Sequence, residues 1–283
     1  MSGQSVLITG ASTGIGEACA RYLAGNGWQV FAGVRRDTDG ERLAAMGAGN
    51  IEPVHVDVTD ADSIDLAIKH VSNVTNGSLR ALVNNAGIGV GGPIEYTELD
   101  EWRRQFEVNV FGQIAVTKAC LPLLRTNGPG ARIVIIGSIG GRIAPPLQAP
   151  YAASKHALEA IAEAMRHELR RAGIKVTLVE PGAIATPMWD KAMDTAGEIE
   201  ASLPAEARAR YQWALDGFRK GAKLQARNAI PASKVAEVVE HALSAKRPKA
   251  RVLVGIDAKG MATVVRFLPD SLRDRLVRLA TRG

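Results

Sequence analysis

Ser5-Val6-Leu7-Ile8-Thr9-Gly10-Ala11-Ser12-Thr13-Gly14-Ile15-Gly16 lies at the start of a chain of 283 residues and decides how the rest is read. Residues 5–9 form a short apolar run of strand type, and a helical pattern runs from the last glycine to about Leu23. Between them the spacing Gly-x-x-x-Gly-x-Gly permits a tight reversal and a close approach of backbone to a ligand. A helix that begins there presents free N–H groups and the positive end of its dipole, which suits a pyrophosphate. Such turns also arise for backbone reasons alone, so this one gains meaning only from the other residues of the chain.

Downstream, β-rich runs alternate with helical ones. Strands are expected at 29–34, 51–56, 81–84, 132–136 and 175–179. Helices are expected at 41–46, 63–74 and 101–124, and across the segment that holds Tyr151 and Lys155. Asp60 stands where an N-cap belongs, and Trp102, Phe106 and Val110 share one stripe of the long helix. Parallel strands require crossover connections, and this alternation supplies them. The expected fold is therefore α/β: a doubly wound parallel sheet of Rossmann type with helices on both faces. No repeat or linker interrupts residues 1–283, which read as a single domain. After Pro181-Gly182 the pattern changes. Residues 187–230 place Met188, Trp189, Met193, Tyr211, Trp213 and Phe218 at helical spacing with no strand among them. That is more chain than a connection needs, so it reads as a helical lid over a binding site, with core packing as the alternative. A helix at 231–245, a strand at 251–254 and an amphipathic helix at 270–280 complete the chain. In the last of these Leu272, Leu276 and Leu279 form an apolar stripe beside Arg273, Arg275, Arg278 and the nearby Arg282. It reads as a helix docked on the domain or on a sister subunit, with peripheral contact to a membrane surface as the sharper alternative.

Composition narrows the function classes. With 46% hydrophobic and 23% charged residues the chain has an ordinary globular balance. The net charge of +6 is dispersed, and no basic run or aromatic-basic alternation points to nucleic acid. Cys19 and Cys120 fall in separate helical segments and read as buried free thiols. Five histidines form no ligand-spaced cluster, so no metal site is expected. No signal-peptide pattern precedes the first strand, no apolar run would span a bilayer, and the chain reads as cytoplasmic.

The chemistry lies in Tyr151-Ala-Ala-Ser-Lys155. On a helix these two side chains project from one face, so a phenol would lie beside an ammonium. An ammonium favours the phenolate and is expected to lower the phenol pKa from about 10, fitting tyrosine for proton transfer near neutrality. Beside a dinucleotide-binding turn, that pairing points to hydride transfer between a nicotinamide and a carbonyl or alcohol. Ser138 excludes a serine-hydrolase reading, because no Gly-x-Ser-x-Gly elbow surrounds it.

Together Thr9–Gly16, Asp57, Asn84-Asn85-Ala86-Gly87, Asn109, Ser138, Tyr151-x-x-x-Lys155 and Pro181-Gly182 resemble the short-chain dehydrogenase/reductase family. These motifs stand in the family's order across nearly 180 residues. The resemblance implies that Tyr151 is the general acid or base and that Lys155 lowers its pKa and binds the nicotinamide ribose. It implies that Ser138 donates to the substrate oxygen and that Asn109 holds a water linking Lys155 to solvent. Cofactor contacts are implied for Gly10, Ser12, Thr13, Gly14, Ile15 and Gly16, for Asp57 and Val58, and for Asn85, Ala86 and Gly87. Tyr151, Lys155, Pro181 and Gly182 complete that set. A loop-capping role for Asp57 stays open. The second strand ends Val34-Arg35-Arg36 rather than in an acid, and guanidinium groups suit a 2′-phosphate, so NADP is expected, with NAD left open by Asp37. The expected activity is interconversion of an alcohol and its carbonyl, on a lipophilic substrate if the aromatic content of 187–230 faces the site. The alternatives are a reductase of polar or acyl-carrier-bound carbonyls, or a non-catalytic NADP-binding regulator. The resemblance also implies a homodimer or homotetramer built on the helices near 101–124 and 151–171.

Overall fold

The computed structural model describes residues 4–46 and 50–280. Seven strands make the main sheet: β1 (Ser5–Ile8), β2 (Gln29–Val34), β3 (Ile51–His55), β4 (Ala81–Asn84), β5 (Arg132–Ile136), β6 (Lys175–Pro181) and β9 (Arg251–Val254). They run side by side in the order β3-β2-β1-β4-β5-β6-β9. Every neighbouring pair is parallel. The order reverses direction between β1 and β4, and ligands bind beyond the strand ends at such a switch point.

Side chains alternate across the sheet and divide the core in two. Val6 and Ile8 of β1 join one cluster with Cys19 and Leu23 of α1 (Gly14–Gly25) and Val235, Val239 and Leu243 of α9 (Ser233–Ser244). Leu7 and Phe31 face the other side. There they meet Ile64 and Val71 of α3 (Ala61–Val74), Val116 and Cys120 of α5 (Gly112–Asn127) and Leu158 of α6 (Ala149–Glu168). Cys19 and Cys120 are free and buried, and burial pushes both thiols up. Asp60 caps α3 as expected, accepting from the N–H groups of Asp62 at 3.0 Å and Ser63 at 3.4 Å.

Several boundaries differ from the expectation. The helix α2 (Asp37–Met46) starts four residues earlier than the apolar pattern predicts. Its first turn is acidic, and Arg36 pairs with Asp39 across it, so electrostatics rather than burial fix the start. The long helix expected at 101–124 consists of α4 (Leu99–Phe106), a π-helical turn (Glu107–Phe111) and α5. Residues 187–230 fold as α7 (Met188–Ser202) and α8 (Ala205–Asn228). They are bracketed by a short pairing of β7 (Ile184–Ala185) with β8 (Ile230–Pro231), so Ile230 is a strand residue where none was expected. A further helix, α10 (Ile256–Phe267), was not expected at all.

The terminal helix α11 (Asp270–Ala280) has the predicted bounds. Leu272 and Leu279 are 44% and 54% exposed, so those two members of the stripe are not docked on this chain. The side chain of Leu276 and Arg282 lie outside the described residues. Among the described residues no helix is long and apolar enough to cross a membrane. Asp60→Ala is expected to destabilise the protein by about 1 kcal/mol through the lost cap, read as a lower urea midpoint at unchanged slope.

Candidate active site

The glycine turn is built for contact, not flexibility. Gly10 and Gly14 have φ of +64° and +60°, a region that side-chain-bearing residues avoid. A Cβ on Gly10 would lie 2.8 Å from Cα of Ala86, and one on Gly16 would lie 2.2 Å from the Gly10 carbonyl oxygen. Asn85 fixes this close approach, its Nδ2 donating to the carbonyls of Thr9 at 3.0 Å and Gly10 at 2.9 Å. The Thr9 hydroxyl in return accepts from the N–H groups of Asn85 and Ala86. Thr13 is the N-cap of α1, and its side chain makes no capping bond.

Above the turn opens a cleft of about 640 Å³ at the carboxyl ends of the strands. Gly10, Ser12, Thr13, Gly14, Ile15, Arg35, Asp57, Val58, Asn85, Ala86 and Gly87 line it, as do Ser138, Tyr151, Lys155, Pro181 and Gly182. Gly16, Arg36 and Asn109 do not.

Tyr151 and Lys155 lie on α6 with their side chains in this cleft, the Nζ 5.9 Å from the phenol ring centroid. The electrostatics differ from the expectation. Burial pushes the Tyr151 phenol up, and the facing Ser138 hydroxyl pulls it the other way. Lys155 instead donates to the Ile136 carbonyl at 2.9 Å, and burial brings its pKa down to about 8. The Ser138 oxygen accepts from the Gly140 N–H at 3.0 Å. Its own proton therefore remains available for a second acceptor.

Asn109 is fully buried in the π-helical turn. Its Oδ1 accepts from the Ile88 N–H at 2.8 Å, and its Nδ2 donates to the Ile88 carbonyl at 3.0 Å and to Ser154 at 3.1 Å. With those bonds made, the carboxamide braces the segment after Gly87. Gln105, one helical turn earlier, repeats the device: it accepts from the Val90 N–H and donates to the Ile88 carbonyl. Sequence reading passed over Gln105 and Ser154. The available signal was their spacing, one turn before Asn109 and one residue before Lys155.

A second brace stands just before α6. Leu147 is buried at φ +66°, a strained conformation for a branched residue, and its carbonyl accepts from the Gly92 N–H at 2.7 Å. Its side chain packs with Leu203, Ala207, Ala214 and Leu215, with Phe218 against them. Of the aromatic residues in 187–230, Phe218 thus belongs to a small core, and Tyr211 packs edge-on against Tyr96 with centroids 6.1 Å apart. Trp213 is 51% exposed. Met188 and Trp189 of α7 do line the cleft, along with Asp194, Thr195, Glu198 and Arg104.

Arg35 lines the cleft near Asp57, whereas Arg36 is exposed and held by Asp39, Nε to Oδ2 at 2.8 Å. Burial lifts the Asp57 carboxyl, but the Thr59 N–H and hydroxyl outweigh it, helped by Arg35, and the net direction is down. Asp57 therefore caps its own loop while facing the cleft.

Residues 4–197 match the family model described as short chain dehydrogenase. The chain belongs to the short-chain dehydrogenase family. Over 95% of its length it is 33% identical to an NADPH-dependent 3-dehydrocapnine reductase of Ornithobacterium rhinotracheale, covering 94% of that protein. It is 34% identical to human (Homo sapiens) retinol dehydrogenase 5, covering 96% of this chain and 87% of that one. The crystal structure of a short chain dehydrogenase from Burkholderia cenocepacia in complex with NADP superposes with a TM-score of 0.74. It is 26% identical, over 97% of this chain and 98% of that one. The family's oxidoreductase chemistry on CH–OH groups agrees with the expectation from Tyr151 and Lys155.

The turn gives a direct test of its packing. Gly16→Ala is expected to cost at least about 1–3 kcal/mol, because backbone rather than a flexible side chain blocks the new methyl group. Gly197→Ala, which meets nothing within 4 Å in the middle of α7, is expected to stabilise by about 0.5–1 kcal/mol. Urea denaturation of both variants checks the contrast.

Proposed function

We propose that the protein is an NADP-dependent oxidoreductase interconverting an alcohol and its carbonyl. The observation that carries this reading is the convergence of Ser138, Tyr151 and Lys155 on a cleft floored by a glycine turn too tight for any side chain. The turn and the N-terminus of α1 would hold the pyrophosphate, and Arg35 the 2′-phosphate. NADP, when bound, supplies or accepts the hydride.

In reduction, the Tyr151 hydroxyl gives its proton to the substrate oxygen as negative charge builds there. The upward shift from burial keeps the phenol protonated at neutral pH, which suits the acid role. Ser138, with its lone pair engaged by Gly140, points its proton at the same oxygen and stabilises the charge. Lys155, fixed on the Ile136 carbonyl, holds a positive charge beside the phenol as it becomes phenolate. In oxidation the same groups act in reverse. Asn109 positions the wall of the cleft.

Met188, Trp189, Ile88 and Ile184 favour a substrate with an apolar body, and the identity to retinol dehydrogenase 5 supports the same class. Arg104, Asp194 and Glu198 at the cleft favour a second reading, a polar or carrier-bound carbonyl. A screen of retinoid, steroid and acyl-thioester carbonyls at the nicotinamide absorbance separates the two. Residues 187–230 are read as the substrate lid, with α7 as its working part.

Tyr151→Phe is expected to lower turnover at least ~100-fold with nucleotide binding retained, checked by steady-state kinetics and titration. Turnover near wild type would overturn the mechanism. Arg35→Ala is expected to weaken NADP binding about 10- to 150-fold and NAD binding far less, since a charge-assisted hydrogen bond contributes roughly 1.5–3 kcal/mol. Arg36→Ala, whose charge is held by Asp39, is expected to change the NADP/NAD ratio much less.

A further inference from the structure

Behind the cleft lies a group of charges that the reaction above does not use. Glu180, the residue before Pro181-Gly182, is fully buried on β6. Arg142, in the segment just beyond Ser138, clasps it with two bonds, Nε to Oε1 at 2.5 Å and Nη2 to Oε2 at 2.6 Å. Glu159 faces the same carboxylate from α6, one turn beyond Lys155. Its Oε2 accepts from Arg251 Nε on β9 at 2.8 Å. Its Oε1 is buried and finds no donor among the described residues, and the Glu159 carboxyl as a whole lies in hydrogen-bond reach of Glu180.

Two carboxylate oxygens cannot bond each other, because both only accept. A proton between them removes the conflict and satisfies the orphaned oxygen. Burial is the main reason the Glu159 carboxyl rises to about 7, and the bond to Glu180 adds to it while Arg251 opposes. The other charges around the pair are accounted for. Glu163 is reached through the second arm of Arg251, and Arg166 lies against Glu163 in turn. From the neighbouring α10, Asp257 accepts from the Ala183 N–H instead.

The placement links three walls of the cleft. A Cβ on Gly141, next to Arg142, would meet the Lys155 carbonyl at 2.9 Å and Glu159 Oε1 at 3.5 Å, so this segment lies directly on α6. Arg142 carries the Ser138 segment, Glu159 the Tyr151–Lys155 helix, and Glu180 the Pro181-Gly182 edge. We propose that Glu159 and Glu180 share one proton and, clasped by Arg142, are positioning residues that lock these three walls together. When that proton leaves above neutrality, the two like charges repel and the walls loosen. The catalytic consequence rests on the proposed reaction; the shared proton does not.

The sign of the effect on stability is set by the raised carboxyl. The folded protein holds a proton that the unfolded chain has lost, so this contribution is full below the unfolded pKa and disappears as pH rises through about 7. Urea unfolding of the full chain from pH 5 to 8 is the test, on wild type, Glu159→Gln and Glu180→Gln. Glutamine keeps the shape and supplies a permanent donor to the remaining carboxylate. Across the window from pH 5 to 7 the wild-type unfolding constant should rise, relative to either variant, by up to about tenfold per pH unit. Tyr151→Phe should retain the wild-type slope. In kinetics, the NADP KM should rise in wild type as pH passes upward through about 7, where the folded protein itself loses the proton, and stay flat in Glu159→Gln. Equal pH slopes in wild type and both glutamine variants would overturn the shared proton. A slope difference with no change in the KM profile would overturn the positioning role. If Tyr151→Phe proves fully active, the proposed reaction fails while the unfolding comparison still decides the pair.

Discussion

The carboxamide of Asn85 and the hydroxyl of Thr9 tie the end of β1 to the end of β4, and the rest of the site is arranged around that tie. These strands are neighbours across the switch point, where their connections depart in opposite directions. Without cross-links, their ends would diverge and the backbone polar groups there would need water. Four hydrogen bonds from two side chains instead close the turn onto Ala86 so tightly that Gly10 and Gly16 can have no substituent. Close packing of main chain on main chain brings the α1 N-terminus to the cleft floor. The requirement for glycine is steric before it is functional.

Burial rather than charge governs the titrating groups above that floor. An ammonium four residues from a phenol on one helix invites a Coulombic reading, and in water that reading would hold. In the folded chain both groups are desolvated, and desolvation pushes each toward its neutral form: the phenol upward, the ammonium down to about 8. The lysine answers by bonding a backbone carbonyl of β5, a partner that no side-chain spacing could reveal.

Legibility tracked the kind of signal each element carries. Strands were visible because apolar runs of four to seven residues between glycines have few other uses, and β2 and β9 fell within the expected bounds. The cleft residues were visible because their order along the chain mirrors their order along the strand ends. What escaped lacked periodicity. The start of α2 reads as polar loop, since Asp37 and Asp39 work through the dipole and Arg36. The π-helical turn leaves no trace in composition, yet it sets where Asn109 points. Arg35 and Arg36 are indistinguishable as letters, and only the nearby Asp39 separates one facing the cleft from one held at the surface. The aromatic residues of 187–230 were visible, but not which of them turn inward: Phe218 packs into the small core under α8, Tyr211 meets Tyr96 from a distant part of the chain, and Trp189 fastens its indole to the Ile184 carbonyl.

Leu147 belongs to two bodies at once. Its side chain is part of the small core under α8, and its backbone, held by Gly92 in a left-handed conformation, lies two residues before α6 begins. A residue in that position works as a bell-crank. A shift of the α8 core cannot be absorbed in slack chain, because none separates it from the helix that carries Tyr151 and Lys155. It must turn a stiff, strained joint whose other arm is the first turn of α6. The geometry of Tyr151 and Lys155 is therefore mechanically coupled to packing more than fifty residues further along the sequence, and even a conservative change of volume under α8 would be felt at Tyr151.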